Sequence, residues 1–439
     1  MVVNIEFFVK ETDEILEPTD AAWVSRILSL MLLVATALWR RCIGGGPAPP
    51  CLEFNIYGWY NILVRDIVFY KEDRHMKQLD KKIKVGILGG TGMVGQRFVS
   101  ILHDHPWFDV TTIAASSRSA GKTYGDAVKD KWKMTTPVPD EVKNIEVLDV
   151  NDINRVSNEV DFVFSAVDMS KDEIRAVEEA YARTETPVVS NNSAHRMTPD
   201  VPMVIPEINP EHYDVIKYQK RRLGTTKGFI AVKPNCSIQG YAPALAAWRE
   251  FKPYEISVCT YQAISGAGKT FSDWPEMVEN VIPYIGGEEE KSEIEPLKIF
   301  GHIEHDQIVN SEEMIISAQC VRVPVLNGHT AAVSVRFGEE VSKETLISRL
   351  NEYEGLPQKA DLPSAPKQFI KYLTDDDRPQ VKLDVDFERG FGITVGRLRE
   401  DSLFDYKFVG LAHNTVRGAA GGAVLSAEAL VELGYIASK

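Results

Sequence analysis

Lys84-Val-Gly-Ile-Leu-Gly-Gly-Thr-Gly-Met-Val-Gly95 decides the fold. Its opening alternates and then runs apolar to Leu88, the pattern of a first strand in a parallel sheet. Helical spacing follows from Gln96 to Leu102. Strand, glycine turn and helix in that order form a dinucleotide-binding unit, whereas the glycines alone would say little. Gly89 permits the tight turn, Gly92 lets backbone approach a pyrophosphate, and Gly95 lets the helix pack close to the sheet. With Thr91, Met93 and Val94 between them, these residues are expected to hold phosphates at the helix N-terminus. No Gly-Lys-Ser/Thr follows, so this is not a triphosphate-binding Walker A loop.

Working outward, a second strand over Val110 to Ala115 ends in Ser116-Ser-Arg-Ser-Ala-Gly121. A site for NAD usually carries Asp or Glu here to hold the ribose 2′-hydroxyl. Ser116, Ser117, Arg118 and Ser119 offer hydroxyls and a guanidinium instead, which suits the 2′-phosphate of NADP. The bland alternative is a solvated polar loop. Asp161 to Ala166 reads as another buried strand, with Ser165 and Ala166 at the carboxyl end where ligands lie in open α/β sheets. Glu173 to Ala182 reads as a helix and Thr186 to Ser190 as a strand. Arg196 follows at the same edge and could bind an anionic group, while His195 beside it reads as structural.

The second decisive stretch is Val232-Lys-Pro-Asn-Cys-Ser-Ile238. A helix is predicted over Ile238 to Phe251, which puts the Cys236 sulfur near a helix N-terminus, where free N–H groups favour a thiolate. A buried, inert cysteine is the competing reading. Ile256 to Gln262 has strand composition and leads into Ala263-Ile-Ser-Gly-Ala-Gly268, with Ser265 and Gly266 expected near the cofactor. The Gln262 amide can donate to a substrate oxygen, and Cys259 reads as core. Glu288 to Glu293 is a charge run read as mostly solvated. Glu295 and Lys298, three apart on a helical face, could bind the amine and phosphate of a small zwitterion; a surface ion pair is the alternative. Arg322, on a strand, can hold a carboxylate with two parallel hydrogen bonds. His329, after an Asn-Gly turn, has the side chain suited to moving protons near neutrality. The chain closes with His413 to Gly422 and a small-residue helix to about Tyr435. A helix returning to the nucleotide half would bring Asn414 near the nicotinamide.

The totals fit this picture. A chain of 439 residues implies more than one core, and 44% apolar with 26% charged residues is ordinary for a globular protein. The net charge of -14, without a basic cluster, excludes a nucleic-acid footprint. Five cysteines without a CxxC pair favour a reducing, cytoplasmic compartment and argue against a structural metal site. The first eighty residues do not match the rest. Their apolar run, Ile27 to Trp39, is 13 residues long, short of the roughly 20 a spanning helix needs. A membrane anchor or interfacial helix is set below an appendage with no part in the chemistry, and Met76 is a candidate for the true start. The expected divisions are an appendage over 1–80, a nucleotide domain over 81–235, a catalytic and dimerisation domain over 236–411, and a C-terminal helix over 412–439.

Taken together, the Gly89–Gly95 turn, Pro234-Asn-Cys-Ser237, Tyr261 to Gly268, Arg322 to His329 and Asn414 to Gly422 resemble the aspartate-semialdehyde dehydrogenase family, in its archaeal and fungal branch. The resemblance runs from about Lys82 to the C-terminus. It implies a Rossmann-type domain joined to an α+β domain of the glyceraldehyde-3-phosphate dehydrogenase-like kind, and a homodimer or homotetramer. It implies NADPH-dependent reduction of L-aspartyl 4-phosphate through a cysteine thioester, on the route to lysine, methionine, threonine and isoleucine, with no metal. Carried over, Cys236 is the nucleophile, His329 the acid/base, and Gln262 orients the intermediate, with the Cys236 N–H and the amide of Asn235 or Gln262 as donors to the reacting oxygen. Arg322 would bind the α-carboxylate, Glu295 the amine, and Lys298 with Arg196 the phosphate. Malonyl-CoA reductase is the nearest rival. N-acetyl-glutamyl-phosphate reductase is a more distant one, and a non-catalytic, membrane-tethered or structural protein is the rival of another class.

Overall fold

The structure, a computed structural model, describes residues 77–439. The apolar run over 27–39, and with it any membrane contact of the appendage, lies outside these residues. Six parallel strands form the first sheet: β1 (Ile83–Leu88), β2 (Phe108–Ala115), β3 (Val147–Asp149), β4 (Phe162–Ser165), β5 (Val188–Ser190) and β6 (Ile230–Val232). Their order is β3-β2-β1-β4-β5-β6. The order reverses between β1 and β4, and that switch point opens a crevice at the carboxyl ends of both strands.

The glycine turn is fixed by close packing. Gly89 has φ 82, and a Cβ there would sit 2.3 Å from the Ala166 carbonyl oxygen. A Cβ on Gly95 would sit 2.3 Å from the Gly89 carbonyl oxygen. Helix α1 (Met93–Leu102) therefore begins three residues before the expected Gln96, with Gly95 inside it. Helix α2 (Lys171–Arg183) starts at a capping box: Ser170 Oγ accepts from the Glu173 N–H, and Glu173 accepts from the Ser170 N–H.

The predicted helix over Ile238 to Phe251 is not continuous. Ser237–Gly240 makes one 3-10 turn, α3 covers Ala242–Ala247, and Arg249–Phe251 makes another 3-10 turn. Pro243 has no N–H to continue a helix through this point, so it starts a new one, in the first-turn position it favours.

The second sheet holds β7 (Pro253–Gln262), β10 (Ile315–Arg322), β11 (His329–Phe337), β12 (Ile370–Leu373), β13 (Ile393–Glu400) and β14 (Tyr406–Ala412), in the order β10-β7-β11-β14-β13-β12. A small hairpin, β8 (His302–Glu304) with β9 (Gln307–Val309), stands apart. Burial alternates along β7 and β11, so one face of this sheet meets the core and the other is open. Cys259 lies half-buried on the open face, not in the core as expected. Helix α4 (Glu288–Ile299) flanks β10. Glu289 and Glu293 accept from the Cys320 and Ala318 N–H groups of that edge strand, so this charge run is only partly solvated.

Helix α5 (Gly421–Glu432) is buried from Gly421 to Val431 and shares a core with Ile83 and Val85 of β1 and Phe98 of α1. Among the described residues, no helix is long and apolar enough to cross a membrane.

Candidate active site

Three adjacent strands deliver side chains to one end of the second sheet. Gln262 ends β7 and Arg322 ends β10, and the two pair in parallel register. His329 begins the antiparallel β11. All three belong to buried rows of their strands, so period-2 alternation alone points them to the same side. Cys236 follows β6 of the first sheet and meets them there. Its Sγ lies 3.4 Å from His329 Nε2.

One residue orients the rest. The Ala263 N–H donates to His329 Nδ1 at 3.0 Å. That bond leaves the proton of the neutral ring on Nε2, facing the sulfur. The Ala263 carbonyl oxygen accepts from Arg322 Nη1 at 2.7 Å. A Cβ on Gly266 would lie 3.1 Å from Arg322 Nη1 and 3.2 Å from His329 Nε2, so the missing side chain leaves a cradle between the two. Asn414 binds Ser265 Oγ at 2.8 Å and accepts from the Gly328 N–H at 2.8 Å, which ties the C-terminal segment to the start of β11.

Charge at the centre is balanced closely. Burial pushes the Cys236 thiol up, as does the Glu288 carboxylate; Lys233, Arg196 and Arg322 pull it down. Burial, with Arg322 next, pushes His329 down to about 3. The resting pair is therefore thiol and neutral imidazole. The helix N-terminus invoked from the sequence is only a four-residue 3-10 turn, too short to offset burial.

The nucleotide edge fits a dinucleotide phosphate. Gly92 starts α1 without any side-chain cap, so the first N–H groups of the helix point outward. Ser116, Ser117 and Arg118 are exposed just past β2, while Ser119 turns inward and is buried. Ser165 is fully buried and accepts from Asn192 Nδ2 at 3.1 Å.

Two family models match this chain: "Semialdehyde dehydrogenase, NAD binding domain" over residues 84–216 and "Semialdehyde dehydrogenase, dimerisation domain" over residues 243–417. The aspartate-semialdehyde dehydrogenase of Methanothermobacter thermautotrophicus is 42% identical over 354 residues, covering 80% of this chain and 99% of the relative. That of Aspergillus fumigatus is 42% identical over 364 residues, covering 81% and 99%. The crystal structure of the Candida albicans enzyme with NADP superposes with a TM-score of 0.73 at 40% identity, covering 81% of this chain and 100% of that one. The chain belongs to the aspartate-semialdehyde dehydrogenase family.

For an aspartate-semialdehyde dehydrogenase the substrate groups need charged partners, and here the structure departs from the sequence reading. Glu295, expected at the amine, is 3% exposed. Its carboxylate accepts from Arg196 Nη1 at 2.9 Å and from the Asn235 N–H at 2.6 Å. Lys298, expected at the phosphate, donates to the Arg196, Thr198 and Val201 carbonyl oxygens at 2.8, 2.8 and 2.9 Å. Arg196 also binds the Lys233 and Asn191 carbonyls. Glu295 and Lys298 thus brace the loop after β5 from inside, and Arg196 is largely held there too.

Two turns earlier on α4, the same spacing recurs at Glu288 and Lys291, 2.8 Å apart and both partly exposed. Glu288 also accepts from Asn235 Nδ2 at 3.1 Å and Gln262 Nε2 at 3.1 Å. The two amides expected to face the reacting oxygen are turned onto this carboxylate. The sequence did carry a sign of Glu288. Gly286-Gly287 breaks the chain just before it and puts it in the first turn of α4, at the mouth of the site.

Proposed function

We propose that this chain catalyses NADPH-dependent reduction of L-aspartyl 4-phosphate to L-aspartate 4-semialdehyde and phosphate, through a thioester on Cys236. The observation that carries this reading is the Cys236–His329 contact at 3.4 Å, beside Arg322 and the Gly266 cradle. The thiolate of Cys236 attacks the acyl carbon, the bond to phosphate breaks, and the acyl group stays activated as a thioester. NADPH, when bound, supplies the hydride that takes this carbonyl to the aldehyde level. His329 Nε2 moves the proton at the oxygen and sulfur of the tetrahedral species as it forms and collapses. Arg322 holds the α-carboxylate. Glu288 takes the amine role first given to Glu295, and Lys291 is positioned for the phosphate in place of Lys298. Substrate binding would draw Gln262 and Asn235 off Glu288 and toward the reacting oxygen.

The uncapped α1 N-terminus and the exposed Ser116, Ser117 and Arg118 suit NADP, as does the NADP in the Candida albicans relative. Cofactor would run along Gly89 to Gly95, past Ala166 and Ser165, to a nicotinamide near Ser265, Gly266 and Asn414. The open face of the second sheet, with Tyr261 39% and Ile315 73% exposed, is the surface for a second copy, giving a homodimer or a tetramer of such dimers. A cytoplasmic, reducing compartment is in keeping with Cys236 as a free thiol. Phosphate-dependent reduction of NADP by aspartate semialdehyde is the test. No activity there, with NADPH oxidation by malonyl-CoA instead, would overturn the assignment. Malonyl-CoA has no amine for Glu288, whose negative charge would then oppose the acyl group. Cys236→Ser is expected to lower kcat by about 10³-fold or more; undiminished turnover would rule out the thioester.

A further inference from the structure

One arm of the catalytic half reaches back to the nucleotide half. Residues 269–276 follow the Ile264–Ala267 3-10 turn, which carries Ser265 and Gly266. Each of them is exposed or half-buried. Gly268 starts the arm at a φ of 71°, and a Cβ there would meet nothing within 4 Å, so glycine serves the backbone turn and not packing. Beyond the arm the chain is fixed by Met277, fully buried, and by Ile282, which exchanges both backbone hydrogen bonds with Arg322. Inside the arm, the Asp273 carboxylate accepts from the Thr270 N–H at 2.9 Å and from Thr270 Oγ1 at 2.7 Å, and the Trp274 N–H donates to the Thr270 carbonyl at 3.0 Å. Among the described residues, its hydrogen-bonded tie to the nucleotide half is Lys133, whose ammonium donates to both Asp273 carboxylate oxygens at 2.9 and 3.0 Å. Lys133 is itself hung on the cofactor helix. Its N–H donates to Gln96 Oε1 at 2.8 Å, and Gln96 Nε2 donates to the Thr91 carbonyl of the glycine turn at 3.0 Å.

We propose that Lys133 and Asp273 form a clasp across the cofactor cleft, which opens to admit and release the dinucleotide. The inference rests on the cofactor path given above, with pyrophosphate on Gly89 to Gly95 and nicotinamide by Gly266. The pair joins those two ends. One partner is bonded through Gln96 to the turn at Thr91, and the other stands on the arm that leaves the Gly266 cradle. A dinucleotide stretched between the ends passes beneath it. The two side chains are 30% and 36% exposed, so the tie is weak enough to break in every cycle. Lys269, the arm's own cation, lies over the Trp274 ring with Nζ 4.4 Å from its centre and leaves Asp273 to Lys133. The clasp needs no group of the dinucleotide in order to close. It therefore slows entry and exit alike and shifts the binding equilibrium little, whereas a direct phosphate ligand would raise affinity.

Stopped-flow fluorescence of NADPH binding and release by the full chain tests this. Neither substitution empties the core, and Asp273→Asn keeps an oxygen for Thr270 while losing the charge. Asp273→Asn and Lys133→Met are each expected to raise the NADPH dissociation rate about threefold and the association rate by a similar factor, leaving Kd within about twofold of the parent. The double variant should release NADPH no faster than either single one, because the same pair is broken in all three. At about 1 M salt, where exposed pairs are screened, parent and variants should exchange alike. Parental rates in both single variants would overturn the clasp. So would a Kd weakened by Lys133→Met and tightened by Asp273→Asn, the result for a lysine that binds the phosphates itself. Binding to the parent is read first: a parent that binds no NADPH would defeat the cofactor path and the clasp with it, whereas a parent that binds and variants that match it defeat the clasp alone.

Discussion

At the scale of single residues, the site depends on which carboxylate of α4 faces the substrate. Glu288 and Glu295 are seven residues apart, so both lie on the same side of the helix. Only Glu288 stands at its open end. Glu288→Gln is expected to raise KM for aspartate semialdehyde about 10- to 100-fold, because the amine loses its charged partner. The same change should make the Cys236 thiol easier to ionise, since Glu288 pushes it up. Glu295→Gln should act otherwise, leaving Arg196 buried without its counter-charge and costing about 3 kcal/mol of stability. Steady-state kinetics beside urea denaturation of both variants separates the two roles. Equal effects on KM would return Glu295 to the substrate site.

At the scale of elements, the decisive unit is β1, its glycine turn and α1. Gly95→Ala would place a methyl group 2.3 Å from the Gly89 carbonyl oxygen. The helix must then lift from the sheet, and the first N–H groups move with it. Weaker NADP binding, by at least about tenfold, is expected along with a loss of about 1–3 kcal/mol of stability. Fluorescence titration with NADPH and thermal unfolding would check both. The C-terminal segment is a second such unit. Arg417 pairs with Glu207 at 2.7 and 2.6 Å, fully buried, while Gly418 lies against Cys236, where a Cβ would approach its Cβ to 2.7 Å. A distant ion pair thereby helps seat the backbone that covers the nucleophile.

At the scale of the whole molecule, buried histidines shape the response to acid. Burial lowers His329 to about 3 and both His212 and His413 to about 4. Their unfolded values lie near 6.5, so these depressed groups contribute full stability only above that pH. As pH falls from about 6.5 toward 4, the unfolded chain takes up protons that the folded one refuses. Stability should then fall by up to about 1.4 kcal/mol per pH unit for each histidine. Chemical denaturation at pH 7.5, 6 and 5 would show it, and a flat profile over that range would contradict the assigned burial.

The sequence determined the local units by itself. Glycines at 89, 92 and 95 have few physical uses after a buried strand, although α1 opens at Met93, inside the turn, and not at Gln96. Cys236, Gln262, Arg322 and His329 were legible as chemistry because each residue type has a narrow range of reactivity. Their meeting at one point was decided only by the tertiary structure, since it depends on β7 and β10 ending where β11 begins and on β6 of the other sheet leading there. The same holds for the α4 carboxylates. Spacing shows that Glu295 and Lys298 share a helical face, but not that Arg196 and three carbonyls occupy them, leaving Glu288 at the mouth. The thiol showed the same division. A cysteine before a helix reads as a thiolate, yet Pro243 breaks that helix, and burial then outweighs the turn that remains. Ionisation depends on everything packed around a group, and only the folded chain specifies that.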